Sequence, residues 1–378
     1  KYNINFVGEY GYFKRNYDRG ICPPYTGKYG NFYYFEGMGC PIRGEIWGLI
    51  APGNPEIAVK FAEMDGTLDH VGDSVYFEQF WSAIISEAFF ENDLKKLFLF
   101  GLKYLPENSR AHELVCDVLD YCEKASDYVY IRSKILAKYG HCDCTNVYLN
   151  MGFIIMSLLL SGGDMIKACM MACNCGFDTD CTAGNGGALM GTLLGAKYIS
   201  EKYGFVDSGY VLSVDYRRET DRVIDLAKDT IKIGAHFQNN YASFVPVIRV
   251  PADWKDFSVE KKPAVELSVC YDEDPYIAPG EKVRVRFCIN NNTDENKEYI
   301  VNISEKEGFT VSVQKKVGVS AKGECDFFAE IVCDKDLKVL SETNIFRISL
   351  KCNEQKIEKD FGIIGKKLYR RYGPFWEN

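Results

Sequence analysis

A change of hydrophobic period near residue 235 constrains this 378-residue chain more than any other feature. From about residue 54 to 234, apolar residues recur at helical spacing. Asn54-Pro55-Glu56 reads as N-cap, N1 proline and first-turn acid ahead of Ile57, Ala58, Phe61 and Ala62 on one face. A longer helix follows through Val75, Tyr76, Phe80, Trp81, Ile84 and Phe89. Further amphipathic stretches cover 110–123, 126–139, 146–160 and 164–175, the last opened by Asp164 and closed by Gly176. Another runs from Asp180 to Ser200, and 218–233 forms a last helix stopped by Gly234. Beyond residue 262 the period becomes two. Val283, Val285, Phe287 and Ile289 alternate with polar residues, as do the stretches 299–303, 310–313, 327–332 and 345–350. These patterns predict an all-α domain over 1–234, a linker over 235–262 with Pro246 and Pro251, and an all-β immunoglobulin-like sandwich over 263–378. The sandwich ends in an aromatic tail of Tyr369, Tyr372, Phe375 and Trp376, which can pack back as core or stack on sugar faces.

The net charge of −8 argues against a nucleic-acid binder, which needs clustered cations. The basic cluster Lys366, Lys367, Arg370 and Arg371 reads as a solvated face. No apolar run approaches the ~20 residues of a membrane span. Fifteen cysteines cannot all pair within one chain. Cys116, Cys122, Cys169 and Cys173 sit in apolar helical runs, where reduced cysteine packs as a small hydrophobe. A reducing, cytoplasmic setting is therefore expected. The group His141, Cys142, Cys144 lacks a second close pair at zinc-site spacing and also reads as packing.

Ala183, Gly184, Gly187, Ala188, Gly191 and Gly195 recur at three- and four-residue steps, giving one helix a side-chain-poor stripe. Each interior glycine costs up to ~1 kcal/mol. That cost predicts flush packing of this helix through the centre of its domain. A dinucleotide-binding glycine loop fails because position 189 is Leu and no strand precedes it.

Just ahead of the stripe lies Gly176-Phe177-Asp178-Thr179-Asp180-Cys181-Thr182. Carboxylates two residues apart in a turn can converge on one hard cation such as Mg²⁺, Mn²⁺ or Ca²⁺. Equally, Asp178 or Asp180 can simply cap the helix. The residues alone leave both readings open, although an EF-hand is excluded by the missing glycine and glutamate positions.

The run from Gly176 to Gly191 resembles the C-terminal metal motif of the ADP-ribosylglycohydrolases, enzymes related to the dinitrogenase-reductase-activating glycohydrolase. Gly37-Met38-Gly39-Cys40-Pro41-Ile42-Arg43-Gly44-Glu45-Ile46-Trp47-Gly48-Leu49 resembles the family's substrate loop and the helix behind it. Pro52-Gly53-Asn54-Pro55-Glu56, His70 and Val75-Tyr76 follow in the family's order. The resemblance implies an all-α ADP-ribosylglycohydrolase-like domain and a divalent-metal-dependent hydrolase. In the complete domain two Mg²⁺ (or Mn²⁺ or Ca²⁺) ions orient the ribose and a water while an ADP-ribosyl or related ribosyl glycosidic bond is cleaved. Asp178 and Asp180 would be catalytic metal ligands. Cys181 stands where the family often has Ser or Thr, so Thr182 becomes the third candidate ligand. Gly37, Gly39, Cys40, Glu45, Trp47, His70 and Tyr76 would lie near the substrate. The family's adjacent Asp-Asp pair and early Gly-Asp have no counterpart before residue 178, so the N-terminal part of the catalytic domain is expected to be missing from this chain. Two alternatives remain: a carbohydrate-active glycosidase of the same fold, or a non-catalytic binder of ADP-ribose or a nucleotide. Acceptor, cation and oligomeric state are not written in the sequence.

Overall fold

The structure is a computed structural model that describes residues 8–211, 220–241, 243–249 and 263–366. The aromatic tail and residues 367–371 of the basic cluster lie outside the described residues. A helical N-terminal domain is followed by a strand-rich C-terminal region. The chain divides into two compact units, one of Lys1–Tyr12 with Gly27–Phe257, the other of Phe13–Thr26 with Ser258–Asn378.

The helices are α1 (Glu9–Asp18), α2 (Glu45–Ile50), α3 (Pro55–Gly66), α4 (Asp73–Glu87) and α5 (Leu94–Gly101). They continue with α6 (Arg110–Lys124), α7 (Tyr128–Tyr139), α8 (Val147–Leu160), α9 (Met165–Asn174), α10 (Thr179–Tyr203) and α11 (Val223–Asn240). Between residues 54 and 234, Gly209↔Arg222 is the one strand-type pairing among the described residues, an isolated bridge. Ends are set by local chemistry. Ser109, Asp127, Asn146 and Asp164 each accept a first-turn backbone N–H, as N-caps do. Asn54 precedes its helix but does not cap it. Its amide reaches the carbonyls of Pro52 (2.8 Å) and Val245 (3.1 Å), and its oxygen accepts the Val245 N–H at 2.6 Å.

The centre of the helical unit is α8, buried on every side from Val147 to Leu158, as an all-round apolar helix must be. The glycine-striped α10 does not hold that place. A Cβ added at Gly184 or Gly195 would meet nothing within 4 Å, and at Gly187 or Gly191 only an ordinary contact with Cys169 Sγ (3.5 Å) or Ile199 Cδ1 (3.9 Å), so the stripe is not flush against a neighbouring backbone. Gly195 (φ 76°) kinks the helix instead. Gly234 does not end α11 either. The helix runs on to Asn240, and Gly234 is buried where a Cβ would come 2.8 Å from the Ile50 carbonyl of α2. Absence of a side chain there permits close approach rather than termination.

The cysteines differ from expectation in part. Cys122 and Cys169 are half-buried and pack against the helical core, whereas Cys116 and Cys173 are exposed; Cys40, Cys175 and Cys333 are the fully buried ones. Amphipathic helices α6 and α9 place these thiols at the edge of the apolar face. Among the described residues no helix is long and apolar enough to cross a membrane.

The strand-rich unit has two sheets, ordered β1-β3-β7-β5 and β2-β9-β8-β4-β6. The strands are β1 (Val265–Cys270), β2 (Tyr276–Ile277), β3 (Lys282–Asn291), β4 (Lys297–Ile303) and β5 (Phe309–Val313). The rest are β6 (Lys316–Val319), β7 (Glu324–Cys333), β8 (Thr343–Cys352) and β9 (Gln355–Gly365). Pairings are antiparallel except β2 with β9. Burial alternates along β3 and β4, and Phe287 of one sheet meets Phe361 of the other at 5.2 Å, so the inner faces share one aromatic core.

Candidate metal centre

The turn between α9 and α10 is built on two consecutive left-handed residues, Gly176 (φ 74°) and Phe177 (φ 68°). Glycine takes that conformation freely, whereas phenylalanine must be held in it. The turn delivers Asp178 to the N-cap position of α10, yet the Asp178 side chain makes no capping bond. Its carboxyl instead lies with Asp180 and the Cys181 thiol, one ligand atom of each within 4.8 Å of the others. The choice left open by the residues is thereby narrowed: this aspartate is not spent on its helix.

Burial pushes the Asp178 carboxyl above its ordinary range; a hydrogen bond from Cys181 opposes this, and the charges of Asp180 and Asp143 add to it. The Cys181 thiol is driven far above its normal value by burial, by its bond to Asp178 and by surrounding carboxylates including Glu45. It is a neutral thiol. Neither carboxylate forms an ion pair among the described residues, and two such carboxylates fit a divalent cation in charge and hardness; a neutral thiol does not. Thr182 is buried and its hydroxyl donates to the Thr179 carbonyl at 3.2 Å, while the Cys181 thiol lies beside the two aspartates.

Glu45, at the start of α2, acts on Cys181 from across the site. Its Oε1 accepts from Trp81 Nε1 at 2.9 Å. Burial lifts its carboxyl to about 7, against its backbone N–H bond and the Trp81 bond that favour the charged form. Gly37 bridges to Asn146 across the loop before α8. Gly39 sits beside Glu9 and His70, where any side chain would collide with the Glu9 carboxylate.

The remaining predicted substrate residues gather elsewhere. The Cys40 thiol donates to Glu78 at 2.7 Å, and Trp47 Nε1 reaches Glu78 (3.2 Å) and Asp65 (3.4 Å). His70 is fully buried against Asp69 (2.6 Å), which Arg43 grips with two bonds of 3.0 and 2.8 Å. Tyr76 packs on the main core. These side chains form a buried polar frame behind the loop.

Two site residues escaped the sequence. Asp143 lies inside the His141, Cys142, Cys144 group, whose cysteines are exposed rather than packed. Its Oδ1 accepts the Thr145 N–H and hydroxyl at 2.9 Å, while its charge bears on Asp178. Asn150 is a fully buried polar residue inside the apolar α8. Its amide donates to the carbonyls of Cys144 (2.8 Å) and Asn146 (2.9 Å), and its oxygen accepts the Asp178 N–H at 3.3 Å. An amide side chain in an otherwise largely apolar run was the available signal.

The helical domain thus presents paired carboxylates at a helix start. The sequence model of the ADP-ribosylglycohydrolases matches residues 9–231, well over half of the chain. The protein belongs to the ADP-ribosylglycohydrolase family. No curated protein matches it significantly. Among solved structures, a FixG-related protein from Vibrio parahaemolyticus is 16% identical over 28% of this chain and 99% of its own, with a TM-score of 0.22. PapD-like domain 7 of human CEP192 is 10% identical over 31% and 96%, at 0.21. The Pseudomonas fluorescens alkylpurine DNA glycosylase AlkC is 8% identical over 82% and 88%, at 0.19. At these scores the likenesses establish neither shared fold nor shared function.

Proposed function

We propose that this protein is a divalent-metal-dependent glycohydrolase that cleaves an ADP-ribosyl or related ribosyl glycosidic bond. The observation that carries the reading is Asp178 at an N-cap position with its carboxyl turned to Asp180 instead of to the helix. Asp178 and Asp180 would hold Mg²⁺, Mn²⁺ or Ca²⁺. A bound divalent ion supplies Lewis acidity and a template for sugar and water. Glu45, its carboxyl lifted to about 7, is about half protonated at neutral pH and would give that proton to the leaving group as general acid. The free cysteines fit a reducing, cytoplasmic setting.

The test is release of ADP-ribose from an ADP-ribosylated peptide, with Mn²⁺ or with chelator, beside Asp178→Asn. Metal-dependent release lost in the variant supports the reading. Turnover of aryl glycosides alone would favour the carbohydrate-active alternative. Tight ADP-ribose binding without any turnover would favour the non-catalytic one.

A further inference from the structure

We propose that Arg132 is a positioning residue that locks the Asp178 turn in its ligating conformation. The inference rests on the reading of Asp178 and Asp180 as cation ligands. Phe177 occupies a backbone region that residues with side chains avoid, directly before Asp178, so something must hold it there. Arg132 of α7 does so from one side. Its Nε donates to the Cys175 carbonyl at 2.7 Å, at the C-terminal end of α9 where the helix dipole favours a cation. The same guanidinium lies 5.7 Å from the Phe177 ring centre and 5.7 Å from that of Phe153 in α8. The two rings meet at 5.9 Å. One planar group thus fixes the residue before the left-handed pair by a hydrogen bond and the second member of the pair by a cation–ring contact. From the other side, Asn150 accepts the Asp178 N–H. Lysine can supply charge to the helix end but has no extended planar head to bond the carbonyl and face both rings at once.

The full chain is compared with Arg132→Gln and Arg132→Lys by hydrogen exchange of peptides covering 176–184 and by calorimetric Mn²⁺ titration. In both variants we expect faster exchange in that segment and, for Mn²⁺, affinity at least about tenfold weaker, as for other groups that orient metal ligands. Wild-type exchange and Mn²⁺ affinity in Arg132→Lys would show that charge alone suffices and overturn the proposal. A lowered melting temperature of Arg132→Gln with both quantities unchanged would overturn it too. If the wild-type chain binds no divalent cation, the metal reading fails, and the exchange of 176–184 alone decides whether Arg132 holds the turn.

Discussion

Cys40 Sγ lies 2.7 Å from Glu78 Oε2, a thiol donating to a carboxyl that is fully buried. Burial, with the charge of Asp65 next, lifts Glu78 to about 9 from an ordinary 4.5. Between those values the folded chain keeps a proton that the unfolded chain has released. Stability is therefore fully present below about pH 4.5 and is lost as pH rises toward 9, at a limiting slope of about 1.4 kcal/mol per pH unit. In Glu78→Gln the amide oxygen can accept from Trp47 in place of Oε1, the amide NH2 faces the Cys40 sulfur, and the side chain no longer ionises. Its melting temperature should decline much less across this window than the wild type's. Parallel slopes in thermal melts from pH 5 to 9 would refute the assignment.

Two glycine-to-alanine changes should act with opposite signs. Alanine favours a helix interior by up to ~1 kcal/mol. At Gly234 the new methyl would stand 2.8 Å from the Ile50 carbonyl and 2.7 Å from Ile248. A backbone carbonyl cannot swing away, and overpacking of this kind costs about 1–3 kcal/mol, so Gly234→Ala should lower stability. At Gly184 nothing stands within 4 Å, and Gly184→Ala should raise it slightly. Denaturant midpoints check both.

The period of hydrophobicity made the fold legible because helices and strands bury faces at different intervals. Strands β3, β4, β5, β7 and β8 fall on the alternating stretches, and α6 to α9 on the amphipathic ones. Glycines were the opposite case. The same residue type marks an open stripe at Gly184, a kink at Gly195 and a close helix contact at Gly234, and sequence spacing does not say which. The candidate site was legible only where it is local. Asp178 and Asp180 are two residues apart, so a turn suffices to join them. Asn150, Asp143 and Arg132 reach the same turn from other elements, and no spacing rule connects residues brought together by tertiary packing.

The Cys181 thiol is an uncharged soft donor beside two hard ones. Cys181→Ser replaces it by a hard oxygen of similar size. Mg²⁺ and Mn²⁺ affinity should rise several-fold, and Cd²⁺, which favours sulfur, should lose ground. Competition titrations of the two proteins measure the ratio directly; an unchanged Mn²⁺/Cd²⁺ preference would remove Cys181 from the centre.

Glu45 supplies a pH signature for the reaction. Its carboxyl, lifted to about 7 chiefly by burial, is protonated below that value and ionised above. As general acid it is active when protonated, so the rate should fall above about pH 7. Glu45→Gln should be slower, by about 10²–10⁴-fold, and should lack that alkaline limb. A pH–rate profile that keeps the limb in the variant would assign it to another group.

The most direct prediction concerns the aspartates themselves. Asp178 is raised by burial and by the charge of Asp180, so in metal-free protein the pair is a source of strain. Removing one charge relieves it. Asp178→Asn should therefore be at least as stable as wild type in chelator, although an aspartate has been lost from a helix start where carboxylates usually help. That usual benefit is small here because the side chain makes no cap. Cation binding reverses the order. A ligand present at 100 times its dissociation constant stabilises the folded state by about 2.7 kcal/mol. With Mn²⁺ the wild type should melt several degrees higher than in chelator, and Asp178→Asn should not respond. Thermal melts of both proteins, with and without Mn²⁺, give all four values. A variant less stable than wild type in chelator, or one that keeps its Mn²⁺ response, would mean that Asp178 serves the helix after all.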